Sequence, residues 1–182
     1  MDSDIALIMG IKAGNKKALG QLVERHKKMA FRMALGLVGN KDDAYDISQE
    51  AFMRVYNSAG TFDERQPFLP WFYTIIANLC RTWLRRRSSR ESRMVAIEDA
   101  PYLLADVTTP ESRLMKQELL GRLQQALLEL SFEDREIITL QHFRGMSYDE
   151  IANLLGIPRG TVMSRLYYAR KKLGKLMGQY HD

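Results

Sequence analysis

The residues of this chain best suited to chemistry are cationic, and the group they could bind is phosphate. Between positions 81 and 93 stand Arg81, Arg85, Arg86, Arg87, Arg90 and Arg93 against a single acid, Glu91. From Ile151 through His181 there is no acid, yet there are Arg159, Arg165, Arg170, Lys171, Lys172 and Lys175. Cations clustered in this way neutralise successive phosphates and release their counterions, so each cluster is a footprint for a polyanion. The formal net charge is only +5 because acids are concentrated elsewhere, at Asp42, Asp43, Asp46 and Glu50. That group offers a separate surface to a basic partner.

Covalent, metal and redox chemistry find little support. Cys80 is the single cysteine, so no internal disulfide can form, and no Cys or His lies near it at metal-ligand spacing. It reads as a small packing residue. His26, His142 and His181 are isolated from any Ser, Cys or carboxylate pairing, and no glycine loop is spaced to cradle a nucleotide. The expectation is a protein that is not an enzyme, with no catalytic residues, metal or cofactor. No stretch approaches the ~18 uncharged apolar residues of a membrane span, and the acidic start Met1-Asp2-Ser3-Asp4 is no signal peptide. A cytoplasmic protein without membrane insertion is expected.

Helical periodicity supplies the scaffold that must position the charges. Ala18, Leu22, His26, Met29, Met33 and Leu37 recur at three- and four-residue steps and predict a helix over 15–38, ended near Gly39-Asn40. A second helix starts at about Lys41 with acids in its first turn, buries Ala44, Ile47, Ala51 and Val55, and stops at Gly60. Thr61 to Pro70 holds two prolines and no periodicity, so it reads as a loop. From Trp71 to about Arg87 an apolar stripe of Phe72, Ile75, Ile76, Leu79 and Trp83 predicts a third helix with arginines at its end. The pattern dissolves between Ser88 and Pro110 into a linker whose Tyr102-Leu103-Leu104 patch could dock on something. Periodicity resumes at Glu111, with Leu114, Leu119, Leu123, Leu127 and Leu130 in a long helix, followed by shorter ones at 132–143, 147–154 and 158–178. No strand alternation or repeat occurs. The expected fold is all-α, in two small helical domains over 1–90 and 113–182 joined by a flexible linker at 91–112.

The most specific motif runs from Ser147 to Leu173. Ala152, Gly156 and Val162 have the spacing of a helix-turn-helix: a small residue at the crossing, a glycine at the sharp turn, an apolar lock on the second helix. Ile151, Leu155, Ile157 and Leu166 supply its core, and Pro158 sits where a first turn tolerates it. With Val162, Leu166, Ala169 and Leu173 facing inward, Arg159, Met163, Tyr167 and Arg170 face outward, beside Ser164, Tyr168 and Lys171. A basic, aromatic outward face suits the major groove. An ordinary hairpin with a solvated charged face is the competing reading, and the absence of acids weighs against it. Upstream, Phe62, Phe68, Trp71, Phe72 and Tyr73 lie next to arginines and could stack on unpaired bases. Periodicity assigns Phe72 and Trp83 to the core, leaving the loop with Asn78, Arg81 and Thr82 as the candidates for function. A stand-alone helix-turn-helix regulator would explain 147–173 equally well, but would need neither the acidic helix nor the loop at 61–70.

These segments together resemble the extracytoplasmic-function sigma factors of bacterial RNA polymerase, over about Leu19 to Leu173. Asp43-Ala44-Tyr45-Asp46-Ile47-Ser48-Gln49-Glu50-Ala51-Phe52 is similar to the family's core-polymerase helix. Trp71-Phe72-Tyr73-Thr74-Ile75-Ile76-Ala77-Asn78 is similar to the element that opens the minus-10 promoter sequence, where the preceding loop captures a flipped base. Leu128 to Ser131 through Arg144 to Ala152, with Gly160 to Leu166, resembles region 4, the reader of the minus-35 element.

The resemblance implies an alternative sigma factor for a stress or envelope-type regulon. It assigns Asp43, Asp46, Gln49, Glu50 and Arg54 to polymerase binding, and Phe62, Asp63, Gln66, Leu69, Trp71, Tyr73, Asn78, Arg81 and Arg85 to minus-10 DNA. Minus-35 DNA would fall to Arg159, Gly160, Thr161, Met163, Ser164, Arg165, Tyr167, Tyr168, Arg170 and Lys171. Among these, Met163, Ser164, Tyr167 and Tyr168 would read bases, while Arg159, Thr161, Arg165 and Arg170 would position phosphates. The implied partners are core RNA polymerase, through its beta-prime clamp and beta flap, promoter DNA, and an anti-sigma factor that covers the polymerase-facing surfaces and could hold the chain at the inner membrane. Free of them, the chain would be a monomer. Met163 and Thr74 stand where the family often has basic residues, and Phe62-Asp63 where Phe-Arg is common, so promoter specificity does not transfer.

Overall fold

A computed structural model describes residues 3–90, 110–144 and 146–178, with backbone alone at 88–90, 110–117 and 143–144. The linker expected at 91–112, its 102–104 patch included, falls outside the described residues except for 110–112, as does His181. The described chain is helical: α1 (Asp4–Lys12), α2 (Lys16–Val38), α3 (Lys41–Ser58), a 3-10 turn (Ala59–Thr61), α4 (Phe68–Arg90), α5 (Pro110–Glu129), α6 (Phe132–Arg144), α7 (Tyr148–Leu155) and α8 (Arg159–Gly178).

Local chemistry sets the boundaries. Asn15 caps α2 by accepting from the Lys17 amide at 3.0 Å, and Gly39 ends it in the left-handed region at φ 77°. Asn40 then caps α3, its side-chain oxygen accepting from the amides of Asp42 and Asp43 at 2.9 and 3.0 Å. Two boundaries differ from expectation. Helix α1 was not signalled, because Ile5, Leu7, Ile8 and Ile11 cover much of its circumference and leave no clear stripe. Helix α4 begins at Phe68 rather than after Pro70, since a proline in the first turn removes only an amide that has no intrahelical acceptor.

Helices α1 to α4 enclose one core. Leu22, Met33 and Leu37 of α2 meet Ala44, Ala51 and Val55 of α3, while α4 contributes Phe72, Ile76 and Cys80, all buried. Phe72 stacks on Phe68 at 5.2 Å and tilts against Phe52 at 4.9 Å, and burying such a ring contributes about 1.5–3 kcal/mol. Burial pushes the Cys80 thiol up to about 12, so it is an inert packing group.

Helix α6 is central to the other half. Its residues 134–140 are buried without interruption, which is the pattern of a helix surrounded on all sides. Helices α7 and α8 pack on it through Ile151, Val162, Leu166 and Ala169. The two halves touch where α2 ends. Arg135 donates from Nη1 to the Leu37 carbonyl at 2.8 Å, placing a cation at the negative end of the α2 dipole, and Gln124 Nε2 donates to the Gly39 carbonyl at 2.6 Å. The Leu128 side chain fills the space where Gly39 lacks a Cβ, which would lie 2.5 Å from Leu128 Cδ2.

Candidate nucleic-acid interface

Helix α8 stands over α7 through the turn at Gly156, whose φ of 64° suits glycine. A capping box fixes the start of α7: the Glu150 amide donates to Ser147 Oγ at 3.2 Å, and the Ser147 amide donates to Glu150 Oε2 at 2.7 Å. With Val162, Leu166 and Ala169 buried and Leu173 half-buried, the opposite face looks outward. Met163, Tyr167 and Tyr168 are 50%, 61% and 58% exposed on one helix face, so they form a patch rather than a scatter of single side chains. Arg159, Gly160, Ser164, Arg170 and Lys171 are exposed beside them, with Thr161 and Arg165 half-buried at the edge. Several cations are already held: Arg170 donates to Gln141 Oε1 at 2.7 Å and Arg159 lies 3.3 Å from Asp149. Anchored bases of this kind lose less side-chain freedom on meeting a phosphate.

The candidate minus-10 residues are arranged differently. Between the 3-10 turn and α4, Phe62 is 4% exposed and its ring lies 5.0 Å from that of Trp71. The exposed residues of this segment are the polar Asp63, Glu64, Arg65 and Gln66, followed by Pro67. Asp63 shapes them into a turn, its carboxylate accepting from the Arg65 amide and its carbonyl from the Gln66 amide, both at 3.0 Å. Leu69 and Trp71 are half-buried at the rim, and Asn78, Arg81 and Arg85 are exposed along α4.

Tyr73 is 4% exposed and donates from its hydroxyl to Glu136 Oε1 at 3.0 Å. Arg81 Nη2 donates to the same carboxylate at 3.2 and 3.3 Å, while its guanidinium sits 4.5 Å above the Phe132 ring. Burial, with the Glu136 charge second, pushes the Tyr73 hydroxyl well above its ordinary range, and burial likewise raises Glu136 against the pull of Arg81. The expected aromatic platform therefore needs correcting: in this arrangement the Phe62 and Tyr73 rings are core, and neither offers a face to a base.

On α3, Asp46, Gln49 and Glu50 are exposed, and Glu50 accepts from Arg54 Nε at 2.9 Å one turn on. Asp43 is half-buried and lies 3.7 Å from Arg87 of α4, so it aligns two helices besides carrying charge. An open groove of about 560 Å³ runs between α3 and α4, with Asp46 and Glu50 on one wall and Asn78, Thr82 and Arg86 on the other. It makes the acidic face and the basic helix neighbours, which spacing along the chain did not reveal. Lys12 of α1 was also missed. Its Nζ donates to the Phe62 carbonyl at 3.0 Å and to Glu64 Oε1 at 3.2 Å, clamping the loop that precedes α4. Among the described residues no group of three or more His, Cys, Asp or Glu could hold a metal ion, and no helix is long and apolar enough to cross a membrane.

Comparison with known proteins follows the same division. The family described as Sigma-70 region 2 matches residues 22–90, and that described as Sigma-70, region 4 matches 120–173. The RNA polymerase sigma-H factor of Pseudomonas aeruginosa is 30% identical, over 97% of this chain and 94% of its own length. The ECF RNA polymerase sigma factor SigW of Bacillus subtilis is 30% identical, over 92% of this chain and 93% of its own. Among solved structures, the sigma factor RpoE of Bartonella quintana, in complex with the anti-sigma factor NepR, superposes with a TM-score of 0.68 at 25% identity, covering 89% of this chain and 98% of that one.

Proposed function

The chain belongs to the extracytoplasmic-function (ECF) sigma factors of the sigma-70 family and is an alternative sigma factor, and from this we propose how its surfaces divide the work. Domain limits of 1–90 and 113–182 assign α1 to α4 to region 2 and α5 to α8 to region 4. A stand-alone helix-turn-helix regulator is set aside, because a match that extends over residues 22–90 leaves half of such a protein unexplained.

The acidic face of α3, with Asp46, Gln49 and Glu50 outward and Arg54 and Asp43 holding its geometry, docks on a basic surface of core polymerase at the beta-prime clamp; region 4 meets the beta flap. The outward face of α8 enters the major groove of the minus-35 element. Met163, Ser164, Tyr167 and Tyr168 meet base edges and thymine methyls, while Arg159, Thr161, Arg165, Arg170 and Lys171 meet phosphates and Gly160 allows close approach. The polar turn Asp63 to Gln66, with Leu69 and Trp71 at its rim, receives a base extruded from the minus-10 element, and Asn78, Arg81 and Arg85 track the single strand. Each module alone would bind weakly and with strong salt dependence, whereas joining both to polymerase raises the effective concentration of the second contact. An anti-sigma factor that covers the polymerase-facing surfaces keeps the chain inactive, and a membrane anchor on that factor would hold it at the inner membrane.

The observation that carries this reading is the outward face of α8, where three large side chains are half exposed or more on a helix whose other face is locked into a helix-turn-helix. Reconstituting the chain with core polymerase on a promoter library tests it. Initiation from a shared pair of sequence elements, lost when the chain is omitted, is expected; initiation indifferent to the chain would overturn the reading.

A further inference from the structure

Helix α1 lies ahead of residues 22–90, the stretch that matches Sigma-70 region 2, and it reaches both ends of the loop that precedes α4. At the entry, Lys12 donates from Nζ to the Phe62 carbonyl at 3.0 Å and to Glu64 Oε1 at 3.2 Å, so it holds an acceptor on either side of Asp63. At the exit, Asp4 lies 2.9 Å from His26 Nε2, and the His26 ring packs on Phe68 with centroids 5.3 Å apart. The two lines of contact converge on one residue. Phe62 and Phe68 are buried, and their rings lie 5.0 and 6.1 Å from that of Trp71, which stands half-buried at the rim.

The Lys12 pair adds little to folding, because side chains 22% and 48% exposed are screened by water. Its consequence is geometric: it fixes the peptide plane that leads into the Asp63 turn. Capture of an extruded base must offset the loss of stacking, so a pocket that had also to order itself on binding would hold that base less well. We infer that α1 is a positioning brace for the minus-10 loop, with Lys12 and the Asp4–His26 pair presetting the Trp71 rim so that the base meets a pocket already formed. The helix is seated closely enough to transmit position. Leu7, Ile8 and Ile11 are buried, and at Gly10 an added Cβ would stand 2.9 Å from Ala18 Cβ of α2. Neither group has a flexible end that could swing away, so a methyl group at Gly10 must move α1 relative to α2 and carry Lys12 with it. Alanine otherwise suits a helix interior better than glycine, so that change displaces the brace without weakening the helix.

The inference rests on the reading that this loop captures a base, and its test separates the two claims. Holoenzyme assembled from core polymerase and the full-length chain would be titrated with single strands carrying the minus-10 element it selects. 2-Aminopurine placed at each position in turn brightens where a base leaves the stack, and a matching strand lacks the base at that position. The parent should prefer the intact strand over the abasic one. Lys12→Met and Gly10→Ala should each shrink that preference by about fivefold, the worth of one hydrogen bond, and Lys12→Arg should restore most of it. Asp4→Ala, which leaves Phe68 stacked on Phe72, should shrink it by less. Affinity for the abasic strand and for the minus-35 duplex should stay at the parent's level throughout, which a general loss of structure would not allow. A preference unchanged in both Lys12→Met and Gly10→Ala overturns the brace. Should one of the two also lose the minus-35 duplex, its fold is damaged and the other decides alone. If instead the parent holds intact and abasic strands equally, the capture reading fails and the inference with it.

Discussion

The two helices proposed to face DNA, α4 and α8, solve opposite problems. Helix α8 is short of internal partners on its outer face: among the described residues Tyr167 and Tyr168 stay more than half exposed, their rings 5.3 Å apart. Helix α4 is rich in internal partners, with Tyr73 buried against Glu136 and Arg81 engaged by the same carboxylate. A helix face can thus be left open, at the cost of exposed apolar area, or have its side chains satisfied by contacts inside the molecule. The first arrangement depends only on the helix-turn-helix that carries it. The second depends on how two halves of the chain sit together.

The harshest way to break this comparison is to damage one core and watch the other. Phe72→Ala should cost about 3–5 kcal/mol and Leu166→Ala about 2–5 kcal/mol in urea unfolding. If the halves are as separable as the open α8 face suggests, each variant should lower the midpoint of its own transition; a single shared transition would mean that the seam at Arg135 and Gln124 welds them. Next in size is the double change Tyr167→Ala with Tyr168→Ala. It should erase about 1–3 kcal/mol of discrimination for each base read, measured by competition between wild-type and mutated minus-35 duplexes, without moving the unfolding midpoint.

Smaller effects sharpen the picture on the region 2 side. Lys12→Ala releases the Phe62 carbonyl and Glu64, and should weaken capture of the minus-10 strand by about 1 kcal/mol. Lys12→Arg should restore most of it, and an oligonucleotide lacking the captured base should penalise the alanine variant less than the parent. The smallest effect concerns Asp4. Burial raises its pKa, but hydrogen bonds from His26 and Arg25 outweigh that and hold the carboxyl below the usual range. A depressed acid contributes stability above its unfolded value of about 3.9 that is lost as pH falls through the folded value. Asp4→Asn should therefore flatten the acid limb of the stability profile below about pH 4, with a lesser change at neutral pH.

Much of this was legible from spacing alone. The three- and four-residue steps of α2, the stops at Gly39 and Gly156, and the outward set of α8 follow from rules that act within one or two turns of chain. What escaped has longer reach. Glu136 meets Tyr73 across 63 positions, and Arg135 meets Leu37 across 98, so no local pattern announces either. A hint existed, since a charged pair stands beside Ile137, Ile138 and Leu140 on a helix with no obvious polar face. Helix α1 escaped because apolar residues around much of a short segment carry no period. The aromatic residues of 62–73 misled for a related reason: a ring beside arginines looks the same in sequence whether it is stacked in a core or waiting for a base.

Gly39 carries a consequence of its own. One residue both turns the chain out of α2 and vacates the space into which Leu128 presses. Any side chain there would meet a strained dihedral and an occupied volume together, acting as a wedge driven into the seam between the halves. Alanine at this position would prop that seam ajar by its own backbone, and the spread between the halves, read as a distance between two dyes, would measure how much of their contact depends on Leu128.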